Sequence, residues 1–544
     1  MKRQRSIALC AAMIIALAAA PTAAAHAVLV ATTPGNDAVL QQSPDRVTLR
    51  FNEPVETAFG SVRVYDGNAN RVDSGEISRP DEKSVAVAID RRLPRGTYTV
   101  TWRAISADSH PVSGAFVFHV GAPGAQPGGI ASEVFHQGTP DNVTWLYRVS
   151  RFFDFAFLLL VAGGAASLVL ALASAPDDLR NRLYKLLAVF AAALVLSALA
   201  GIVLQGAVAG GFGVGEAAHW DTVSAVLDTR FGKTWLVQAA LAAAVACLAL
   251  VRPLRPVVLI PAAALVVTPS VSGHASVSGT LSFVADVVHV AAASAWTGGL
   301  AFLVLGLLLA GEQRWPLAAR AVPRFSTLAV GAVAVLVTVG IVNAYEQVRA
   351  WRGLWETTYG QLLLAKIALV LPLLALGAYN NRFAVPRLRR EVASPLEQRR
   401  FLRAAGAELA IFVAIVGVTA VLVTEPPAKA SVVRKGPYAT TTDLGPLELN
   451  FVADPAKAGR NELHLYLLDK SGRPADVNEL RVLASLPSQR IGPLRFTARR
   501  LAPGHFAVLG VQLTIPGDWQ FRVEARRGEF TSYSQTVSVP IRKD

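Results

Sequence analysis

The chain has 544 residues, of which 53% are apolar and only 17% charged, against about a quarter charged in an ordinary soluble domain. The apolar residues come in blocks of about twenty, the span of a bilayer core, which excludes a single soluble globular enzyme. Lysine and arginine number 52 against 38 aspartate and glutamate, a net charge of +14, but the arginines gather in short connections between apolar blocks, a mark of membrane topology rather than of a nucleic-acid partner.

Lys2, Arg3 and Arg5, the apolar run from Ile7 to Ala20, Pro21 and Ala23-Ala24-Ala25 predict a signal peptide over 1–25, with His26 opening the processed chain. Processing would remove Met1, Met13 and Cys10, leaving Cys247 as the last sulfur-bearing side chain. From 26 to 120, alternating runs such as Val47-Thr48-Leu49-Arg50-Phe51 and Tyr98-Thr99-Val100-Thr101-Trp102 lie between Pro and Gly turn signals and predict a small β-sandwich. Residues 121–144, with Gly121-Ala-Pro-Gly, read as a linker.

Eight apolar blocks follow within 145–425, near 149–173, 185–208, 232–251, 256–273, 282–310, 322–344, 360–380 and 404–424, and predict eight transmembrane helices. The odd-numbered connections carry fifteen lysines and arginines, seven of them between Arg382 and Arg403; the even-numbered ones carry four: Arg230, Lys233, Arg349 and Arg352. The positive-inside rule then places the odd connections in the cytoplasm and both chain ends outside a plasma membrane. Residues 426–544 return to alternation, as in Leu463-His464-Leu465-Tyr466-Leu467, and predict a second extracytoplasmic sandwich. The expected fold class is therefore mixed and multidomain: β-sandwich, eight-helix bundle, β-sandwich.

The nine histidines are His26, His110, His119, His136, His219, His274, His289, His464 and His505, and all fall outside or toward the outer end of a span on this topology. A free N-terminal His26 offers both amine and ring nitrogen. Asp108 and His110, two apart, share a side of a strand or turn. Three nitrogens and an oxygen in a tetragonal array favour Cu(II). On spacing alone, an Asx turn before Pro111 accounts for Asp108 equally well. In the membrane region, Gly273-His274-Ala275 ends the fourth span, while Asp286 and His289, three apart, share a face of the fifth. Ionisable groups inside spans are costly and point to function.

Other residues carry blander expectations. Lys366 is expected to snorkel to the surface, Glu408 to meet Arg403 or Arg382, Cys247 to be core and His119 to sit on an outer strand face opposite Phe118. His219 reads as a solvated loop residue, and His464 and His505 as strand residues. Gly232-Lys233-Thr234 lacks the first glycine of a phosphate loop, since Leu227 stands there.

His26-Ala-Val-Leu-Val, Leu49-Arg50-Phe51-Asn52-Glu53-Pro54-Val55, Gly96 to Arg103 and Ser106-Ala107-Asp108-Ser109-His110-Pro111-Val112-Ser113-Gly114 resemble the periplasmic copper-binding family CopC across 26–120. The resemblance implies Cu(II) binding by His26, Asp108 and His110, with Glu53 matching a family glutamate near the site. The Met-rich Cu(I) site of some members has no counterpart, since the processed chain lacks methionine. Gly273-His274-Ala275, Asp286 to His289, Trp296-Thr297-Gly298-Gly299, Arg324-Phe325-Ser326, Thr358-Tyr359-Gly360, Lys366, Asn381-Arg382 and Arg403 to Glu408 resemble the CopD family of copper-resistance membrane proteins, whose recurrent membrane histidines correspond to His274 and His289. The order CopC then CopD resembles the fused copper-uptake proteins of the YcnJ type. Pro503-Gly504-His505-Phe506 and Pro516-Gly517-Asp518-Trp519 resemble YtkA-like extracytoplasmic modules.

The expected function is capture of Cu(II) outside and its movement inward, with copper and the lipid bilayer as partners, no nucleic acid and no catalytic activity. No ATP-binding or phosphorylated-aspartate motif appears. Two other classes remain open: a haem-binding membrane cytochrome, since paired transmembrane histidines can hold haem, and a copper sensor or chaperone without transport.

Overall fold

The computed structural model describes residues 27, 29–35, 38–56, 62–68, 70–106, 111–121, 139–211, 213–273, 279–389, 394–429, 438–469, 475–528 and 531–542. The expected signal peptide, most of the linker, and His26, Asp108, His110, His136 and His274 lie outside the described residues.

The N-terminal strands form two sheets. One has the order Leu29–Thr33, Arg46–Phe51, Ser84–Ile89, Asp73–Asp81; the other runs Ala38–Leu40, Pro111–Val120, Gly96–Ser106, Val55–Glu56, with Val62–Tyr65 also paired to Gly96–Ser106. The period-2 pattern does what the sequence predicts: Val47, Leu49 and Phe51 turn inward from one sheet and meet Val100, Trp102 and Phe118 of the other. Phe51 and Trp102 make an edge-to-face contact with ring centroids 5.3 Å apart, the arrangement that aromatic quadrupoles favour.

Among the described residues eight helices are long and apolar enough to cross a membrane: α1 (Asp141–Leu170), α2 (Asp177–Gly210), α3 (Arg230–Leu250), α4 (Arg252–Ser272), α5 (Thr280–Leu309), α6 (Gly311–Val348), α7 (Thr358–Leu388) and α8 (Pro395–Leu422). Most overrun the apolar blocks by several residues, because a helix can project beyond the apolar block as polar turns that hydropathy does not mark. Local chemistry fixes several starts. Thr229 and Thr357 cap α3 and α7 by accepting from the Gly232 and Gly360 amides. Ser394 and Glu397 form a reciprocal capping box on α8, with Pro395 at its first position. α4 is broken where Pro253 and Pro256 impose a 3-10 turn, Arg252–Val258.

α1 and α5 approach closely through Gly163 and Gly298. A Cβ on Gly163 would collide with the Ser294 carbonyl, and one on Gly298 with the Leu159 carbonyl; small residues at such crossings let helix backbones meet. The bundle core continues through Leu158, Leu183, Leu300, Phe302 and Leu317.

The N-terminal sandwich rests on the end of the bundle where α2 finishes and α3 begins. Arg103 donates to the Ala209 and Val208 carbonyls at 2.6 and 2.8 Å, satisfying acceptors that a helix C-terminus leaves open. The Arg230 amide donates to Glu56 Oε1 at 2.8 Å. Burial pulls the Arg103 guanidinium below its ordinary value.

The C-terminal strands also form two sheets, ordered Tyr438–Leu444, Leu447–Asp454, Gly459–Leu468, His505–Leu513, Arg499–Ala502 and Ile491–Thr497, Glu479–Leu486, Gly517–Arg527, Thr531–Ile541. They close over one core that includes Leu449, Phe451, Leu465, Val482, Phe521 and Val539. The mixed architecture expected from the sequence, strands then eight helices then strands, is what the chain adopts.

Candidate functional site

A cavity of about 1300 Å³ runs from the sandwich into the bundle. Ala27, Leu29, Trp102 and Val112 of the sandwich line one part of it, and Asp286 and His289 of α5 and Lys366 of α7 line another. Asp286 and His289, which the three-residue spacing placed on one helical face, both turn into this space.

The Asp286 carboxylate is held from two sides. The Ser270 hydroxyl on α4 donates to Oδ2 at 2.7 Å, and the Asn343 amide on α6 reaches Oδ1 at 3.4 Å. Lys366 interacts electrostatically with both Asp286 and His289. His289 Nδ1 is buried with no hydrogen-bond partner among the described residues. Gly340 faces the ring, so that even an added Cβ would stand 3.8 Å from His289 Cε1. A carboxylate anchored by neutral donors and, one turn away, an imidazole nitrogen that makes no hydrogen bond are groups of the kind that bind divalent transition-metal ions.

A second polar network lies beside the first. Arg151 Nη1 stands 3.4 Å from Asp154 Oδ2, Gln238 donates to Asp154 Oδ1 at 2.5 Å, and Thr268 donates to the Gln238 carbonyl oxygen at 2.7 Å. The Arg151 guanidinium lies over the rings of Phe155 and Trp235, 4.6 and 4.9 Å from their centroids. Thr268 and Ser270, two residues apart on α4, connect the networks. Sequence reasoning missed this group although its signal was visible: Arg151 and Asp154 stand inside the first apolar block, where ionisable residues are rare. Ser270 and Asn343 carried no such signal.

Several expectations need correcting. Lys366 does not snorkel to a surface; packing of α7 turns it into the cavity. Glu408 accepts from the Asn380 amide at 2.6 Å rather than from Arg403 or Arg382, because Asn380 lies at the π-helical turn Asn380–Ala384 of α7. Cys247 is exposed on the bundle rather than core. His119 does lie opposite Phe118, yet it is buried and hydrogen-bonded to Thr97 Oγ1 at 2.9 Å. His219 is exposed, just before Trp220–Asp228. Glu53 is buried within the N-terminal sandwich. His464 and His505 are strand residues that also meet each other, which the sequence did not suggest.

The CopC domain family matches residues 29–121, the N-terminal domain of copper resistance protein D-like proteins matches 141–283, and copper resistance protein D matches 319–422. The copper transport protein CutJ of Bacillus subtilis (strain 168) is 30% identical over 536 residues, covering 94% of each chain. The chain belongs to the CopC–CopD fusion family. The two parts of this fusion also have separate relatives. The inner membrane protein YebZ of Escherichia coli (strain K12) is 31% identical over 257 residues, 46% of this chain and 87% of that protein. Copper resistance protein C of Xanthomonas campestris pv. juglandis is 31% identical over 123 residues, 21% of this chain and 96% of that protein. As a CopC–CopD fusion with eight apolar helices, the protein is a multi-pass membrane protein of a copper resistance and transport family.

Proposed function

We propose that the N-terminal sandwich captures Cu(II) outside the plasma membrane through His26, Asp108 and His110, with Glu53 beside the site, and that copper then passes inward through the cavity lined by Asp286 and His289, with His274 as a further ligand. One observation carries this reading: Ala27, Val112 and Trp102 line the same cavity as Asp286 and His289. Ala27 follows His26 in the chain and Val112 lies two residues beyond His110, so described chain neighbours of the proposed capture residues border that space. The strands on either side of 107–110 pair antiparallel, with Ile105 opposite Pro111.

The orientation is supported by charge. The sandwich rests at the α2–α3 end, whose connection carries only Arg230 and Lys233, while the connections at the other end hold most of the arginines. Capture outside and a nitrogen and oxygen donor set without methionine favour inward movement of Cu(II).

The deciding experiment compares copper accumulation in cells carrying the intact chain, a His26→Ala chain, a His289→Ala chain or none. Import predicts lower accumulation in all three altered strains. A rise in the deletion strain would reverse the direction, and a Soret band lost in His289→Ala protein would replace copper by haem in the membrane domain.

A further inference from the structure

The C-terminal sandwich carries a histidine pair whose geometry is independent of the pathway above. His464 and His505 stand on adjacent central strands, and His464 Nδ1 lies 3.1 Å from His505 Nε2. Two nitrogens bound to one metal ion at about 2.0–2.1 Å, subtending angles between square and tetrahedral, lie roughly 2.8–3.4 Å apart. The observed separation falls inside that range; with the ring centroids 5.4 Å apart the two nitrogens point at each other, so the rings must turn for one ion to meet both lone pairs.

The surroundings hold the His505 ring in place. Tyr466, directly opposite His505 in the strand register, stacks on its ring with centroids 4.3 Å apart and planes 14° from parallel. His505 is 6% exposed, so its orientation is fixed by packing. Glu462 Oε2 is 4.0 Å from His464 Nε2, on the nitrogen that faces away from the pair. That distance is beyond a hydrogen bond and leaves the His464 tautomer open to either nitrogen. On the next strand Asn450 pairs with Tyr466, and its Oδ1 is buried with no hydrogen-bond partner among the described residues. The His464 side chain retains 18% exposure, which leaves access from solvent.

We propose that His464 and His505 form a second metal site, in the C-terminal sandwich, taking a divalent ion with a preference for imidazole and highest affinity for Cu(II), which stands at the top of the stability order for such ligands. Among the described residues no cluster of three or more His, Cys, Asp and Glu forms, so the described residues supply two ligands and leave room for solvent. Such a site exchanges its ion readily. It suits acceptance or release of copper at the outer surface better than storage.

The test uses the full-length protein in detergent, titrated with Cu(II) against competing glycine and read by bound copper per chain and by electron spin resonance. The unaltered chain should bind one more copper than His464→Gln or His505→Gln, and one nitrogen-ligated signal should disappear in both variants. If His505→Gln fails to fold, His464→Gln decides alone, because its side chain lies on the outer sheet face. Equal copper content and unchanged resonance in a folded His464→Gln chain would reduce the pair to a hydrogen bond between two imidazoles and overturn the proposal. The comparison is a difference between chains with the same N-terminal domain, so it holds whether or not copper binds at His26.

Discussion

Ser270 and Asp286 are joined across α4 and α5 by a 2.7 Å hydrogen bond, which fixes the carboxylate about one helical turn from His289. Hydrogen bonds to charged groups contribute about 1.5–3 kcal/mol, so this contact is strong enough to decide where the carboxylate sits. Copper accumulation should therefore fall to the host background in Asp286→Ala and fall several-fold in Ser270→Ala, whose carboxylate survives but loses its anchor. Wild-type accumulation by a Ser270→Ala chain would show that Asn343 positions Asp286 unaided.

Arg151 and Asp154 are both buried in α1, and Gln238 completes the carboxylate's hydrogen bonds. Removing one partner of a buried pair leaves the other charge without compensation, at a cost of about 3–5 kcal/mol. Asp154→Leu should destabilise the protein in detergent by that order, and Arg151→Met should do the same. The double substitution should cost far less than the sum of the two, because no lone charge remains. An additive cycle in thermal or denaturant unfolding would show that the two side chains are energetically separate.

The eight spans were legible because hydropathy is a local property of twenty consecutive residues, and the Asp286–His289 face was legible because helical periodicity is local as well. The direction of Lys366 was not, since rotation of α7 about its axis is set by packing against its neighbours rather than by its own sequence. The His464–His505 contact was invisible for a related reason. The residues are 41 apart, and only the register that puts Tyr466 opposite His505 brings them together. Asp154 was readable in principle, being an acid inside an apolar block; its partners Gln238 and Thr268 come from helices whose order in the bundle the sequence does not state.

Glu56 makes the seam between sandwich and bundle sensitive to pH. Burial raises its carboxyl above the ordinary 4.5, outweighing the Arg230 amide and the attraction of Arg79, Arg230 and Lys233. A carboxyl raised in the docked state holds its proton more tightly there than when released. Docking is therefore most favourable below 4.5 and weakens as pH climbs from 4.5 through the raised value. Glu56→Gln, which keeps an acceptor for Arg230 and removes the buried charge, should raise the thermal midpoint of the detergent-solubilised chain at pH 7 and flatten its pH dependence above 4.5. A lower midpoint at pH 7 would mean that the charged acceptor matters more than its desolvation.

The glycines of the α1–α5 crossing give the clearest test of the bundle's packing. A Cβ at Gly298 would strike the Leu159 carbonyl and stand 3.0 Å from Gly163 Cα, while one at Gly163 would strike the Ser294 carbonyl. Backbone cannot give way as a flexible side chain can, so Gly298→Ala or Gly163→Ala must push the two helices apart. Overpacking of this kind costs about 1–3 kcal/mol. Because both changes act on one contact, the double variant should cost less than the sum of the singles. Gly406 in α8 is the control: a Cβ there meets nothing within 4 Å, and Gly406→Ala should be neutral or stabilise by about 0.5–1 kcal/mol through helix propensity. Thermal unfolding of the three single variants and the double in one detergent reads all four values. If Gly298→Ala matched Gly406→Ala, the close approach of α1 and α5 would not be what holds the α5 residues Asp286 and His289 in place.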